Sequence, residues 1–286
     1  MSDVSQGSPA TGRLVVVGTP IGNLGDLSPR AVEAFASADV VACEDTRRTG
    51  RLLAAAGVSP GRLVRVDAHT EAAVAEQLVS RLCSGEVVAL ASDAGLPGLS
   101  DPGSGLVAAA VEAGVVVEVV PGPFAGAVAL VGSGLADRSS RFCFEGFLPR
   151  KGPSRRERLA ELAGERRTIV LYEAPHRLAA TLGDLAGVLG SDRRVAVCRE
   201  LTKLHEETWR GTLDEALRRC AEVEPRGEHV LVIDGAPRPA EVDDDVLRAA
   251  LDAALAAGAT RRDAAVAVAE RHGVAPNRVK RLLAGG

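Results

Sequence analysis

Cysteines are few and scattered in this sequence. There are five of them, an odd number, and no two form a C-x-x-C pair. A disulfide framework or a zinc site needs paired or clustered cysteines, so neither is indicated and no metal is expected. Unpaired thiols fit a reducing compartment.

Long apolar runs and a basic leader are also missing. No stretch reaches about 18 uninterrupted apolar residues, the length that a membrane-spanning helix needs. The first residues, MSDVSQGSPATG, lack a basic start followed by an apolar core. We therefore expect neither membrane insertion nor export, and a cytoplasmic location. We interpret residues 1–12 as a disordered tail.

A general excess of positive charge is absent as well. The formal net charge is -4 at pH 7, and only three of the 34 basic residues are lysines. The overall field therefore offers no attraction to nucleic acid, and such a partner would have to meet a local basic patch. The arginine richness is typical of a genome-wide composition bias and by itself indicates no function.

The most informative stretch that is present is EVVALASDAGLPGLSDPG, residues 86–103. Its apolar run Val87–Ala91 predicts a strand buried on both faces of a parallel sheet. A dense set of turn formers follows, and Asp101 and Pro102 predict the N-cap and first residue of a helix. Ordinary connections of this type run about 2 to 6 residues, so the extra length favours a ligand site over a plain turn.

Two further polar loops follow predicted strands. GTPIGNLGD, residues 18–26, comes after Arg13–Val17, and its glycine spacing is neither the dinucleotide fingerprint nor a P-loop. Glu44–Arg48 comes after Val40–Cys43, and taken alone it is better explained as a solvated cluster of paired charges; its position after a strand is what favours a site. All three loops are expected at the carboxyl edge of one sheet, where ligands bind.

The chain of 286 residues is longer than one core usually requires, and its 46% apolar residues can fill two. Strands and helices alternate up to residue 120, where Pro121-Gly122-Pro123 interrupts the pattern, and alternate again from residue 142 to 234. We predict an α/β fold with an N-terminal α/β domain over 13–123 and a C-terminal α/β domain over 124–236. Three short helices predicted after a Pro-rich linker form a helix-turn-helix-like segment over 240–286, for which a plain helical cap is the alternative.

Polar stretches also follow strands in the second α/β unit, namely Tyr172–Arg177 and Arg199–Glu207. Their histidines, His176 and His205, could each be ordinary surface residues. Between the units, residues 150–158 predict a mobile basic loop able to track phosphates, with a solvated charged loop as the alternative.

Seven motifs together resemble the ribosomal RNA small subunit methyltransferase I family. They are GTPIGNLGDLSPRA, ACEDTRRTGRLL, SDAGLPGLSDPG, PGPFAGAVALVGSGL, FEGFLPRKG, YEAPHR and RELTKLHEE, and they span residues 13–236. The resemblance implies the tetrapyrrole methylase fold, in which two α/β domains hold S-adenosyl-L-methionine (AdoMet) in the cleft between them. It also implies 2'-O-methylation of a cytidine ribose in the decoding region of 16S rRNA by a homodimer, acting on 16S rRNA or the 30S subunit.

Matching positions imply the roles of individual residues. The implied AdoMet contacts are Pro20, Asp93, Ala94, Gly95, Leu96, Phe124, Ala125 and Tyr172. Relatives commonly have serine where this chain has Phe124, which removes a hydroxyl contact but not a backbone contact. The candidate bases for the hydroxyl proton are Asp45, Glu200 and Lys203. The candidate RNA contacts are Arg47, Arg150, Lys151, Arg155, Arg156, His176 and Arg177.

Two other classes of protein remain open at this point. A tetrapyrrole or other small-molecule methylase would share the fold and the cofactor loop, but would not need the basic stretch or the terminal helices. A DNA-binding regulator without enzymatic activity would explain those helices but not the polar strand ends. Fold alone does not separate these functions.

Overall fold

The computed structural model describes residues 12–67, 70–136, 141–237 and 242–284. The predicted tail, apart from Gly12, lies outside the described residues, and so do Arg238 and Pro239 of the predicted linker. The chain forms two compact units that divide between Ala236 and Pro237. The predicted boundary between residues 123 and 124 lies within the first unit and stays a prediction.

The first sheet consists of five parallel strands and follows the apolar runs of the sequence. Its strands are β1 (Arg13–Val17), β2 (Val40–Cys43), β3 (Arg62–Arg65), β4 (Val87–Ala91) and β5 (Val116–Val120), in the spatial order β3-β2-β4-β1-β5. Separate apolar clusters cover its two faces, one around Leu14 and Leu90 and the other around Val15 and Phe35. Burial on both faces explains why the three central strands, β1, β2 and β4, are nearly continuous apolar runs.

Five helices accompany this sheet and lead into the next one. They are α1 (Pro29–Ser37), α2 (Thr46–Ala55), α3 (Glu71–Cys83), α4 (Ser104–Glu112) and α5 (Ala125–Ser133). The prediction that Asp101 and Pro102 begin α4 is wrong. Gly103 is the N-cap, and the Glu71 carboxylate accepts hydrogen bonds from the N–H groups of Gly103 at 2.9 Å and Gly105 at 2.8 Å. A carboxylate from α3 thus satisfies the free donors of α4 and leaves Asp101 unused.

The second sheet is mixed rather than parallel. Its strands are β6 (Phe142–Phe147), β7 (Thr168–Glu173), β8 (Arg194–Arg199), β9 (Glu207–Thr212) and β10 (His229–Ile233), in the order β6-β7-β10-β8-β9. Only β6 and β7 pair in parallel, and the other neighbours are antiparallel. The helices α6 (Pro153–Ala163), α7 (Pro175–Leu189) and α8 (Leu213–Glu222) belong to this part of the chain.

The predicted mobile basic loop over residues 150–158 is wrong. Helix α6 begins at Pro153, which occupies the first turn, and it buries Arg155, Leu159 and Leu162. Proline suits the first turn of a helix, and the spacing of the three buried residues places them on one helical face.

The second unit contains α9 (Asp244–Ala256), α10 (Arg261–His272) and α11 (Pro276–Ala284). These helices agree with the three that the sequence predicts. Leu247, Leu251, Val268 and Val279 lie at the centre of their own apolar cluster. Gly273 ends α10 in the left-handed conformation with φ 63°, at the predicted turn. Within the described ranges, no helix combines the length and the apolar character needed to cross a membrane.

Candidate cofactor-binding and active site

The loops that follow β1 and β4 meet at the carboxyl edge of the first sheet. The Thr19 N–H donates to the Gly95 carbonyl at 2.8 Å, and the Gly95 N–H donates back to the Thr19 carbonyl at 3.2 Å. The buried Thr19 hydroxyl also lies 3.3 Å from the carbonyl oxygens of Ser92 and Gly95. The sheet edge therefore brings together two loops that are far apart in sequence, as the sequence analysis expects.

Gly95 fills a position that tolerates no side chain. Its φ is +82°, and a Cβ added there would lie 3.3 Å from the Pro123 carbonyl oxygen and 3.4 Å from Ile21 Cγ2. The loop after β5 thus packs against the central loop at this point. Only glycine adopts this backbone conformation without strain and leaves room for the neighbouring loops.

A cavity of ≈ 360 Å³ opens beside Gly95. Its volume falls in the range of about 300–1,000 Å³ that small-molecule sites usually occupy. Six of the eight implied AdoMet contacts line it, namely Ala94, Gly95, Leu96, Phe124, Ala125 and Tyr172. The other two, Pro20 and Asp93, line a neighbouring cavity of ≈ 240 Å³ that shares Ile21, Ala94 and Glu228 with the first.

Two aromatic residues of the second sheet, Phe147 and Tyr172, line the larger cavity, and Phe144 packs against Tyr172. The Tyr172 ring lies 4.9 Å from Phe144, 5.6 Å from Phe147 and 6.4 Å from Phe124, measured between ring centroids in edge-on pairs. The Gly126 N–H donates to the Tyr172 hydroxyl at 3.2 Å, which ties β7 to the first turn of α5. Burial raises the pKa of Tyr172 to about 12, so the phenol stays neutral at pH 7.

Apart from Tyr172 and His229, the ionisable residues that line the larger cavity are acidic. Asp101, Glu173 and Glu228 line it, together with His229, and no lysine or arginine is among the described residues that do. Glu173 is neutralised by Arg177 at 3.3 Å and Glu228 by Lys203 at 2.7 Å. The walls are largely apolar, and among the described residues no cation pairs with the Asp101 carboxylate. Such a cavity suits a ligand that combines an apolar body with cationic groups. AdoMet, with its sulfonium and ammonium groups, has this chemistry, so the residues present fit the cofactor.

The three candidate bases are all engaged in other contacts. The Asp45 carboxylate caps α2 by accepting from the Arg47 and Arg48 N–H groups, and its contacts with the Arg47 side chain and backbone hold its pKa at about 2. The Glu200 carboxylate accepts from the Glu228 N–H at 2.9 Å, and this bond and the nearby Lys203 keep its pKa low.

Lys203 is held in its charged form. Its ammonium group lies 2.9 Å from Glu200 and 2.7 Å from Glu228. Burial opposes the charge, but the two carboxylates outweigh it and raise the pKa of Lys203. A protonated amine cannot accept a proton, so Lys203 does not suit the role of the base. Asp45 and Glu200 stay predicted candidates, each with its carboxylate held in other contacts.

The candidate RNA contacts divide into exposed and enclosed cations. Arg155 is enclosed: its guanidinium donates to Asp184 at 2.8 Å, to the Pro149 carbonyl at 2.9 Å and to the Thr181 hydroxyl at 3.0 Å. Arg177 donates to the Leu148 carbonyl at 2.7 Å and pairs with Glu173. Both side chains thus serve the packing of α6 and α7, and Arg155 is no longer counted among the RNA contacts. The exposed members of the set are Arg47, Arg150, Lys151, Arg156 and His176.

Three residues that line the larger cavity, Asp101, Phe147 and Glu228, are absent from the site residues that the sequence predicts. Phe144 and Phe147 occur in the quoted motif FEGF, whose alternating aromatic residues were the available signal. Asp101 was assigned to a helix cap, because an Asp-Pro pair before an apolar helix is typical of one. Glu228 has no local sequence signal, since the contact of its carboxylate with Lys203 joins residues that are 25 positions apart.

Comparison with known proteins defines the class first. Residues 13–217 match the tetrapyrrole (corrin/porphyrin) methylases. A crystal structure of uroporphyrin-III-C-methyltransferase from Thermus thermophilus is 25% identical, covers 78% of this chain and 94% of that one, and superposes with a TM-score of 0.56. A structure of the same kind of enzyme from T. thermophilus, complexed with S-adenosyl homocysteine, has a TM-score of 0.57 at 22% identity, covering 78% of this chain and 97% of its own. The chain belongs to the tetrapyrrole methylase family and is a methyltransferase.

Relatives that match this chain over most of their own length identify a more specific family. Ribosomal RNA small subunit methyltransferase I of Synechocystis sp. is 48% identical over 262 residues, 91% of this chain and 92% of the relative. The protein of that name from Mycobacterium tuberculosis is 48% identical over 92% of this chain and 91% of its own length, and that from Escherichia coli O157:H7 is 43% identical over 93% and 92%. Within the tetrapyrrole methylases, the chain therefore belongs to the ribosomal RNA small subunit methyltransferase I family.

Proposed function

We propose that this enzyme uses AdoMet to methylate the 2'-hydroxyl of a cytidine ribose in the decoding region of 16S rRNA. The observation that carries the proposal is a cavity of ≈ 360 Å³ with apolar and acidic walls, located where the glycine-containing loops meet. Its chemistry fits AdoMet, and the chain resembles rRNA methyltransferases over 91% of its length. This substrate would place the enzyme in the cytoplasm.

The residues around the cavity have distinct tasks in this proposal. Bound AdoMet supplies a methyl group activated by its positively charged sulfur. Gly95 lets the backbone approach the cofactor, while Phe124 and Tyr172 keep water away from the reacting atoms. The protein then has mainly to hold the ribose oxygen in line with the methyl group, because correct positioning can remove a large part of the barrier to such a displacement.

RNA would be held by exposed cations rather than by the cavity walls, which carry no lysine or arginine among the described residues. Arg150, Lys151 and Arg156 lie exposed at the start of α6, and no ion pair occupies them in the part of the chain that the structure describes. Arg47 is 87% exposed at the side chain. The second unit presents further exposed cations at Arg262, Arg271, Lys280 and Arg281. Such groups can neutralise RNA phosphates without sequence preference.

A small-molecule methylase is the alternative. The uroporphyrin methyltransferase structures resemble this chain over 78% of its length, whereas the rRNA methyltransferase relatives resemble it over 91%. The exposed cations near the start of α6 and in the second unit also offer phosphate contacts that a small-molecule enzyme does not need. Both observations favour RNA as the substrate.

A homodimer is part of the same proposal. Helix α4 and the neighbouring edge strand β5 carry exposed apolar side chains, Val111 at 61%, Val116 at 55% and Val119 at 53%. An exposed apolar surface of this kind is available for a subunit contact. Light scattering would test the dimer, and a monomer at micromolar concentration would contradict it.

The experiment that tests the function is incubation with methyl-labelled AdoMet and three acceptors, namely 30S subunits, naked 16S rRNA and uroporphyrinogen III. Label in 16S rRNA, presented in either form, supports the proposal and identifies the form that the enzyme prefers. Label in the tetrapyrrole and in neither RNA sample would contradict it.

A further inference from the structure

The proposed reaction leaves one task unassigned. A ribose hydroxyl that gains a methyl group loses its proton, and a nearby group has to accept that proton. Asp45, Glu200 and Lys203 are engaged elsewhere, as described above. The following inference rests on the proposed function, since it concerns the acceptor for that proton.

Asp101 differs from the other carboxylates at the cofactor site because no cation neutralises it. It lines the larger cavity beside Leu99 and Ser100. Asp93 pairs with Arg48 at 3.2 Å, and Glu228 pairs with Lys203. Among the described residues, no hydrogen bond or ion pair engages the Asp101 carboxylate. It is therefore free to exchange a proton with a ligand.

The backbone around Asp101 is held in place by other groups. Ser100 has a φ of 70°, unusual for a residue with a side chain, and Gly98 and Gly103 also have positive φ. Glu71 occupies the N-terminus of α4, the position at which the Asp101 carboxylate would otherwise be used. Strained backbone of this type persists where the surroundings fix it, often at functional sites.

The surroundings also give Asp101 a suitable proton affinity. Burial, followed by the neighbouring carboxylates of Glu44, Asp93 and Glu228, raises the pKa of Asp101 to about 6. The other titratable groups that line this cavity are Tyr172, which is neutral at pH 7, Glu173, which pairs with Arg177, and His229, whose pKa is lowered by burial. A carboxyl group with this pKa is ionised at pH 7 and yet holds a proton far better than an ordinary aspartate.

We propose that Asp101 is the proton acceptor of the methyl transfer. As the ribose oxygen bonds to the methyl carbon, the carbon–sulfur bond breaks and its electron pair stays on sulfur. The O–H bond of the ribose breaks in the same step, and its proton passes to a carboxylate oxygen of Asp101. Asp101 then releases the proton to solvent.

The test uses the full chain with AdoMet and the rRNA acceptor, and compares wild type with Asp101→Asn and Asp101→Glu. We expect Asp101→Asn to lower the single-turnover rate about 100-fold or more, the usual contribution of general base catalysis. Calorimetry should find AdoMet affinity within about tenfold of wild type, since one unpaired charge is lost and no wall is moved. Asp101→Glu should recover part of the rate, because it restores the carboxylate.

Two pH measurements separate proton transfer from a structural role. The first is a carbon-13 NMR titration of the carboxyl groups, in which the Asp101 signal is identified by its absence from the Asp101→Asn spectrum. We expect this titration to give Asp101 a pKa of about 6 in the free protein. The wild-type rate should rise with pH up to that pKa, and the low rate of Asp101→Asn should not. Glu228→Gln should move the rise to lower pH, because it removes one of the neighbouring negative charges.

An active wild type with an equally fast Asp101→Asn variant would overturn this inference and leave the proposed function intact. An ordinary aspartate pKa in the NMR titration, or a rate loss wholly explained by lost AdoMet binding, would also overturn it. A wild type that transfers no methyl group to either form of 16S rRNA would instead contradict the proposed function, and the inference would fail with it.

Discussion

Gly95 is the residue on which, in the proposed site, AdoMet binding depends most directly. A valine there would have to adopt the φ of +82° and place its Cβ within 3.3 Å of the Pro123 carbonyl oxygen. We therefore expect Gly95→Val to abolish AdoMet binding in calorimetry. Unchanged AdoMet affinity in a folded Gly95→Val variant would contradict the assignment of this loop.

Gly57 provides a matched control for Gly95. It also has a positive φ, +72°, but a Cβ there meets no atom within 4 Å. Gly57→Val should share the backbone strain, about 1–2 kcal/mol, and leave AdoMet affinity unchanged. A loss of AdoMet binding in both variants would point to general destabilisation rather than to the site.

The raised pKa of Asp101 also determines how the free energy of unfolding should depend on pH. Its pKa is about 6 in the folded protein against an ordinary 3.8, so the folded state binds the proton more tightly. The stabilising effect of that proton is complete below about pH 4 and is lost as pH rises through about 6. After a discount for solvent screening, Asp101→Asn should be more stable than wild type by roughly 1 kcal/mol at pH 8.

Urea denaturation of wild type and Asp101→Asn at pH 4 and pH 8 measures this difference. The two proteins should have nearly equal free energies of unfolding at pH 4 and separate at pH 8. If the variant is less stable at both pH values, Asp101 has a structural partner and its carboxylate is not free.

We expect Arg155 to contribute to the stability of the fold rather than to RNA binding. Its guanidinium is 10% exposed and donates to three acceptors, so Arg155→Ala would leave Thr181 and the Pro149 carbonyl without their donor. We expect a loss of roughly 2 kcal/mol in the free energy of unfolding, less than for a fully buried pair because Asp184 is 47% exposed. Thermal denaturation tests this, and a variant with wild-type stability and weakened RNA binding would reverse the assignment.

At the scale of elements, three exposed cations lie together in sequence at and just before the start of α6. Changing Arg150, Lys151 and Arg156 together to alanine should weaken RNA binding and flatten its salt dependence. Three phosphate contacts contribute about 2 to the slope of log affinity against log salt. Filter binding across a salt series measures the slope, while AdoMet affinity serves as the internal control. An unaltered slope would assign these side chains to solvent.

The strands with the strongest sequence signal share one physical property. Strands such as β4 and β10 are buried on both faces and are therefore continuous apolar runs. Strand β9 was missed because it is an edge strand of half-buried residues, ETWRGT, without an apolar run. Helix α6 was missed because its arginines, one of them buried, obscured the apolar spacing of Leu159 and Leu162.

The candidate site was predictable where backbone chemistry determines it. Glycine-rich loops after strands have a local signal, and six of the eight implied cofactor contacts line one cavity. The assignment of proton transfer was not predictable in the same way. It depends on which carboxylates are paired, and pairs such as Arg48 with Asp93 join positions that are far apart in sequence.

At the scale of the whole molecule, the two units should separate by function. Both sheets and the described lining of both cavities lie in the unit that ends at Ala236. A chain ending at Pro237 should therefore fold and bind AdoMet with wild-type affinity. Methylation should fall mainly through a raised KM for RNA, with a smaller change in kcat. A folded truncation that no longer binds AdoMet would contradict this division.

The position of the transferred methyl group tests the central claim most directly. After reaction with wild-type enzyme, 16S rRNA is digested to nucleosides, and mass spectrometry locates the methyl group. We predict 2'-O-methylcytidine from a single site in the decoding region, with no product from the Gly95→Val enzyme. A methyl group on a base, or on the ribose of another nucleoside, would contradict the proposed reaction.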